Sequence, residues 1–285
     1  MRVVNYMPLS LFVFISIGSW LTSLNDQLLL AINSVAGRNW LFDNVVAFFL
    51  DNDLAKAGVI GACFLAAWYG GKDAATTHRR KILLTTIVAA VFVIGTTKVL
   101  SKTIFLPRPE IQSQKIYQLE GDQLVEMKRM PVRIPLDDES QKNYHALING
   151  DVETNDLGSF PSDHAGFFLV ISLGIWLASR RLGLLAIGWT VFVILAAKMI
   201  SAQHTPFDVL AGAAVAIIEL TVLRYLVGDK WVDRQLERLS QLTLRHSALS
   251  SAFIFAVAFE MSSTLVHVRE LIGLLSTVRH HILGG

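Results

Sequence analysis

The sequence predicts an all-α polytopic membrane helix bundle. It has a six-span core, a long extramembrane loop between spans three and four, and a seventh C-terminal span or amphipathic helix. Three observations predict it. Of the 285 residues, 53% are hydrophobic and only 17% charged, with a mean hydropathy of +0.49. Apolar runs long enough to cross a bilayer recur along the whole chain. Lysine and arginine gather in alternate short loops, around 78–81, 180–181 and 230–245, the pattern that marks one membrane face. The single cysteine, Cys63, excludes an intramolecular disulfide and a cysteine-based metal site. The formal net charge of +2 indicates no partner, and no nucleic-acid partner is expected.

In chain order, 8–24 is an apolar run behind Arg2 without a clear small-x-small cleavage site, so it is read as a retained first span. The stretch 25–51 mixes polar residues with apolar ones at helical spacing and is read as two short helices on the membrane surface or packed on the bundle. Span two covers about 54–69, and span three covers 82–105 behind the cluster His78-Arg79-Arg80-Lys81. Pro107 and Pro109 push Leu106 and Arg108 into extended backbone. The polar segment 110–157 is too long for a mere connector. Spans four, five and six cover 161–178, 182–201 and 206–227. A basic surface helix with Lys230, Arg234, Arg238 and Arg245 follows, then an apolar segment at 250–268 that carries Glu260. The chain therefore divides into a membrane core at 1–228 and a basic segment with a C-terminal helix at 229–285.

The stretch Gly158-Ser159-Phe160-Pro161-Ser162-Asp163-His164-Ala165-Gly166 opens span four. Polar and charged residues at such a mouth are costly unless they have a task. Ser162 and Asp163 are N-cap types, and the free amides of a helix start bind anions. A second cluster, Lys198-Met-Ile-Ser-Ala-Gln-His204-Thr-Pro-Phe-Asp208, joins spans five and six. A capping box accounts for Thr205, Pro206 and Asp208, but not for Lys198 or His204. A carboxylate one turn from a histidine can accept its N–H and leave the other nitrogen free to attack. Alternation of spans places Arg108, Ser162, His164, His204 and Asp208 on one face, opposite the arginine-rich loops.

Together these clusters resemble the signature of the type 2 phosphatidic acid phosphatase (PAP2) family, whose superfamily also contains soluble acid phosphatases and vanadium haloperoxidases. Its pattern is a lysine, six residues and Arg-Pro; then Pro-Ser-Gly-His; then Ser-Arg, five residues, His, three residues and Asp. Here Arg108-Pro109, Pro161-Ser162-Asp163-His164, His204 and Asp208 match, and the resemblance covers roughly 25–227. Three positions depart. Ser101 stands at the lysine position, with Lys102 one residue late and Lys98 nearly a turn early; Lys102 is preferred because Lys98 lies deeper. Ala197-Lys198 replaces Ser-Arg, keeping the charge but losing the two-pronged grip on phosphate oxygens. Asp163 replaces glycine, a variant also found in bacterial members acting on polyprenyl diphosphates.

The resemblance implies His204 as nucleophile, Asp208 orienting it, and His164 as the acid that protonates the leaving oxygen and then activates water. Arg108, Lys102, Lys198, Ser162 and Asp163 are the implied phosphate-site residues. No metal and no cofactor is implied, since cations can do the electrostatic work. The expected activity is removal of phosphate from a lipid phosphate or diphosphate: undecaprenyl diphosphate, phosphatidylglycerophosphate or phosphatidic acid. The alternatives are transfer of the phosphoryl group to a lipid or sugar acceptor, or a catalytically weak lipid-binding or transport protein with the same fold. The expected setting is a bacterial inner membrane with the site on its outer face and the lipid substrate in the bilayer.

Overall fold

The computed structural model describes residues 9–70, 74–104, 106–113, 117–120, 123–126, 128–133, 158–228 and 230–262. Helix α1 (Leu9–Asn33) runs without interruption through what the sequence divides into a first span and a surface helix. No Gly or Pro interrupts its last two turns, so nothing stops the helix until the turn at Gly37, which takes φ +71°. Helix α2 (Trp40–Asp51) is capped by Asn39, and α3 (Asp53–Tyr69) by Asn52, whose side chain accepts from Ala55 N–H. Helix α4 (Ala74–Thr103) begins earlier than the hydropathy suggests, taking His78 to Lys81 into its first turns.

Among the described residues of the 110–157 segment are a 3₁₀ turn (Ile111–Ser113) and an antiparallel hairpin, β1 (Tyr117–Glu120) with β2 (Gln123–Glu126), in the register Tyr117 opposite Glu126. This hairpin is the departure from an all-helical fold. The stretch 128–133 is pinned to α1: Lys128 pairs with Asp26 at 2.5 Å, and Asn33 holds the backbone of Arg133 in both directions. The remainder of the loop, 134–157, and the end of the C-terminal segment, 263–285, lie outside the described residues.

Helix α5 (Asp163–Ala178), the long helix α6 (Arg180–Ile200) and helix α7 (Pro206–Val227) follow. Helix α6 carries a π-helical turn at Thr190–Leu195, which changes the angular phase of everything after it, Lys198 included. Thr190 at this turn hydrogen-bonds Ser172 of α5 at 2.9 Å. Helices α8 (Lys230–Arg245) and α9 (Ser247–Ser262) complete the described chain; α8 docks on α4 and α9 on α3. By length and composition, three of the described helices can cross a membrane: Thr76–Thr103 of α4, Arg180–Ile200 and Pro206–Val227. Asp163–Ala178 is a shorter apolar helix, about 24 Å long at 1.5 Å per residue.

The core sits where α4, α5 and α7 meet, with α3 beside them. Phe64, Trp68, Val93, Phe167 and Phe168 are all buried there. Phe92, Val99, Phe192, Leu210, Ile217 and Ile218 are exposed on the outer surfaces of α4, α6 and α7. That inversion suits helices solvated by lipid rather than water.

Close approach at the mouth of α5 depends on small residues. A Cβ on Gly212 would lie 2.2 Å from the Ser162 carbonyl oxygen, so only glycine lets α7 touch the start of α5. On its other side, a Cβ on Gly166 would meet Val93 of α4 at 2.7 Å.

Candidate active site

Three backbone devices bring the distant motifs together. Leu106 O accepts from Ser159 N–H at 2.7 Å, and Pro107 bridges Gly158, so the Pro-Arg-Pro segment lies against the start of the second motif. Ser162 N–H donates to Asp208 O at 3.0 Å, tying the second motif to the third. Helix α6 ends in a Schellman turn, with Gln203 N–H to Lys198 O at 3.0 Å and Ala202 N–H to Met199 O at 3.1 Å. Ala202 occupies the left-handed position of that turn with φ +60°, where glycine is usual, and its carbonyl accepts from Glu110 N–H. Strain of order 1 kcal/mol is thereby held beside His204.

His204 is 3% exposed, and its Nδ1 lies 2.8 Å from the Ser159 carbonyl oxygen. A carbonyl can only accept, so Nδ1 carries the proton and the lone pair of the neutral ring is on Nε2. Burial, and after it the Arg108 guanidinium, hold this imidazole well below the usual histidine range; Asp163 opposes them. His204 is therefore neutral near pH 7.

The rings of His164 and His204 stand 6.3 Å apart, centroid to centroid. His164 Nδ1 lies 2.9 Å from Asp163 Oδ1, and its backbone N–H donates to the same oxygen at 2.8 Å. The carboxylate thus fixes the Nδ1–H form of His164 and leaves Nε2 to exchange a proton. Asp163, expected among the phosphate-site residues, is bonded to His164 instead. A carboxylate has no donor to offer a phosphate oxygen, and this one is engaged by His164.

Asp208 takes the capping-box place that the sequence shows. Its carboxylate accepts from Thr205 N–H at 2.7 Å and Thr205 Oγ1 accepts from Asp208 N–H, closing the capping box. The Ser159 hydroxyl donates to Leu106 O at 3.1 Å. The ring partner of His204 is the Ser159 carbonyl, and the Asp208 carboxylate holds the turn beside it through Thr205. Ser162 is fully buried and caps α5, accepting from Ala165 N–H at 3.3 Å.

Cations surround this group. Arg108 points its charge at His204, and its Nε and Nη1 are buried with no hydrogen-bond partner among the described residues; Glu110 Oε1 is 3.6 Å from Nη1. Lys198 is 2% exposed, and its Nζ donates to Gln203 Oε1 at 2.5 Å. Of the two candidate lysines on α4, half-buried Lys98 is the one whose charge bears on Asp163, while Lys102 is exposed. The structure thus sets Lys98, not the expected Lys102, nearer the buried group. Thr97, six residues or nearly two turns before the end of α4, packs near Gly166 and sets the depth of the α4–α5 contact.

Sequence reasoning misses Lys56. It is 5% exposed near the start of α3, pairs with Asp53 at 2.7 Å and donates to Leu50 O, and its charge bears on His164. A lysine in the first turn of an apolar span is itself a signal.

Asp163, His164 and His204 each offer a ligand atom within 4.8 Å of the others, a set able to hold a metal ion. Lys198 and Lys98 add positive charge beside that set, while Arg108 and Lys56 are paired with Glu110 and Asp53.

The family model described as "PAP2 superfamily" matches residues 59–222, more than half of the chain. No curated protein and no solved structure matches it. The matched span contains Arg108, His164, His204 and Asp208, and the chain belongs to the PAP2 superfamily, whose members are generally phosphatases or phosphotransferases.

Proposed function

We propose that the protein removes phosphate from a membrane lipid phosphate or diphosphate through a phosphohistidine. The observation that carries this reading is the pair of imidazoles 6.3 Å apart, each with Nδ1 committed to an oxygen and Nε2 left for chemistry. The reading places one phosphorus between those two nitrogens. His204 Nε2 attacks phosphorus while His164 Nε2–H protonates the departing lipid oxygen. His164 then takes a proton from water, which attacks the phosphohistidine and releases phosphate. Arg108, whose buried Nε and Nη1 make no hydrogen bond among the described residues, supplies donors for the equatorial oxygens. Lys198 and Lys98 add charge, and the amides at the start of α5 add dipole. Asp208 positions His204 through the turn it caps at Thr205. A metal has no assigned part.

In this reading the bundle crosses the bilayer six times, with the site in the outer leaflet's headgroup layer and Arg80, Arg180 and Arg224 on the cytoplasmic side. The phosphoryl group then lies at the site while the chains stay in lipid.

The test incubates purified protein with polyprenyl diphosphate, phosphatidylglycerophosphate and phosphatidic acid, with and without EDTA. Phosphate release without an added acceptor, unchanged by EDTA, is the expected result. Release only when a lipid or sugar acceptor is present would assign a transferase. Lipid binding without turnover would remove the enzyme reading.

The depressed His204 sets a pH dependence. A nucleophile must be unprotonated, so activity is lost as pH falls through its pKa. The acid limb of kcat/KM is expected below the ordinary histidine value of about 6.5. Asp163→Asn removes the charge that raises His204, so the limb should move to still lower pH. A limb that moves up, or one above the ordinary value in the parent, would contradict the assignment.

A further inference from the structure

Helix α8 carries three distinct faces. One is spent on the protein. Ser240 Oγ donates to Thr77 O at 3.3 Å, Arg80 Nη1 donates to Thr243 Oγ1 at 2.9 Å, and Leu236 packs on the main core. Lys81 pairs with Asp233 and, at 3.5 Å, with Glu237. Those pairs occupy both acidic residues of the helix. At 100° per residue, Lys230, Arg234, Arg238 and Arg245 fall within an arc of about 80° on another side. Between the two lies an apolar arc whose Trp231, Leu239 and Leu242 are 63%, 44% and 53% exposed. The depth of the helix is fixed as well. Only Gly228 and Asp229 separate it from the end of α7, and its partners Thr77, Arg80 and Lys81 are at the start of α4. It therefore lies across the end of two helices able to span a membrane, at the end opposite the site.

We propose that α8 is an in-plane anchor whose basic arc binds the headgroups of acidic phospholipids in the leaflet opposite the active site. The charge complementarity is direct: four cations, with both acidic residues of the helix turned to Lys81, meet anionic phosphates. Exposed Trp231, Leu239 and Leu242 enter the acyl boundary beside them, the arrangement that holds amphipathic helices at an interface. This inference does not depend on the chemistry proposed for the site.

The experiment uses the full-length protein in nanodiscs of phosphatidylcholine alone, or of phosphatidylcholine mixed with phosphatidylglycerol. Amide hydrogen exchange is followed across 230–245. Each cation near an acidic surface is worth about fivefold in binding, so exchange in the mixed discs should slow by about fivefold or more. High salt should abolish the difference. The variant K230Q/R234Q/R238Q/R245Q should exchange equally in both lipids. Exchange in the parent that ignores lipid charge would overturn the proposal and leave the arc to an acidic protein partner. Slowing that survives in the variant would overturn it too. If the variant exchanges faster than the parent even in pure phosphatidylcholine, the parent's salt series decides: slowing lost in high salt supports the proposal, and slowing that persists overturns it.

Discussion

His204→Ala is expected to lower kcat/KM by about 10⁴-fold or more, because it deletes the attacking nitrogen of a unit in which no other group can substitute. The ring's burial and its Nδ1 bond to Ser159 leave Nε2 as the sole nucleophilic atom of that side chain. His164→Ala should produce a comparable loss with a different signature. The nucleophile survives, so a good leaving group still transfers its phosphoryl group to His204, but water is no longer activated. Acid-labile, base-stable phosphoenzyme should therefore accumulate in His164→Ala with an activated aryl phosphate, and be absent in His204→Ala. Labelled phosphate trapped on denatured protein and mapped by mass spectrometry reads this directly. Labelling that persists in His204→Ala, or phosphate on another residue of the parent, would remove His204 from its role. His204→Ala strands no charge, and in His164→Ala the Asp163 carboxylate loses its ring partner but keeps the backbone N–H of residue 164, so the Tm of both variants is measured alongside.

The apolar runs and caps that the sequence displays openly are those the fold follows most closely. Helix α7 begins and ends where predicted because Thr205, Pro206 and Asp208 form a start signal made of side chains. The cap at Ser162 is legible for the same reason. What stays hidden is carried by backbone. The group that orients His204 is the Ser159 carbonyl, which any residue would offer. The turn that presents His204 hinges on Ala202 at positive φ, where alanine gives no turn signal. The π turn of α6 is invisible to a hydrophobic period. The choice between Lys98 and Lys102 needs the depth of the α4–α5 contact, which Gly166 and Thr97 set in three dimensions. Asp163 misleads because a carboxylate in a phosphate motif invites a direct role, whereas its geometry serves His164.

The same dependence on backbone contact makes Gly212→Ala the most informative substitution away from the chemistry. Its new Cβ would lie 2.2 Å from Ser162 O and 3.0 Å from both Ala165 Cβ and Gly166 N. Two of those three neighbours are backbone atoms of α5's first turn and cannot rotate aside. The helices must part, stretching the Ser162 N–H to Asp208 O bond that joins the second motif to the third. Because His164 follows Ser162 by two residues and His204 precedes Asp208 by four, that shift moves the two imidazoles apart. A displacement near 1 Å costs about 100-fold in rate, and overpacking of this kind costs roughly 1–3 kcal/mol of stability. Gly212→Ala is thus expected to lose about 100-fold in kcat/KM with a lowered Tm in detergent. Gly188→Ala, whose Cβ would meet nothing within 4 Å, should match the parent in both. The two glycines lie in neighbouring apolar helices, so a general intolerance of alanine in the bundle would show equally at each. Equal activity in the two variants would mean that the α5–α7 contact does not hold the histidines together, and the joined site would lose its structural basis.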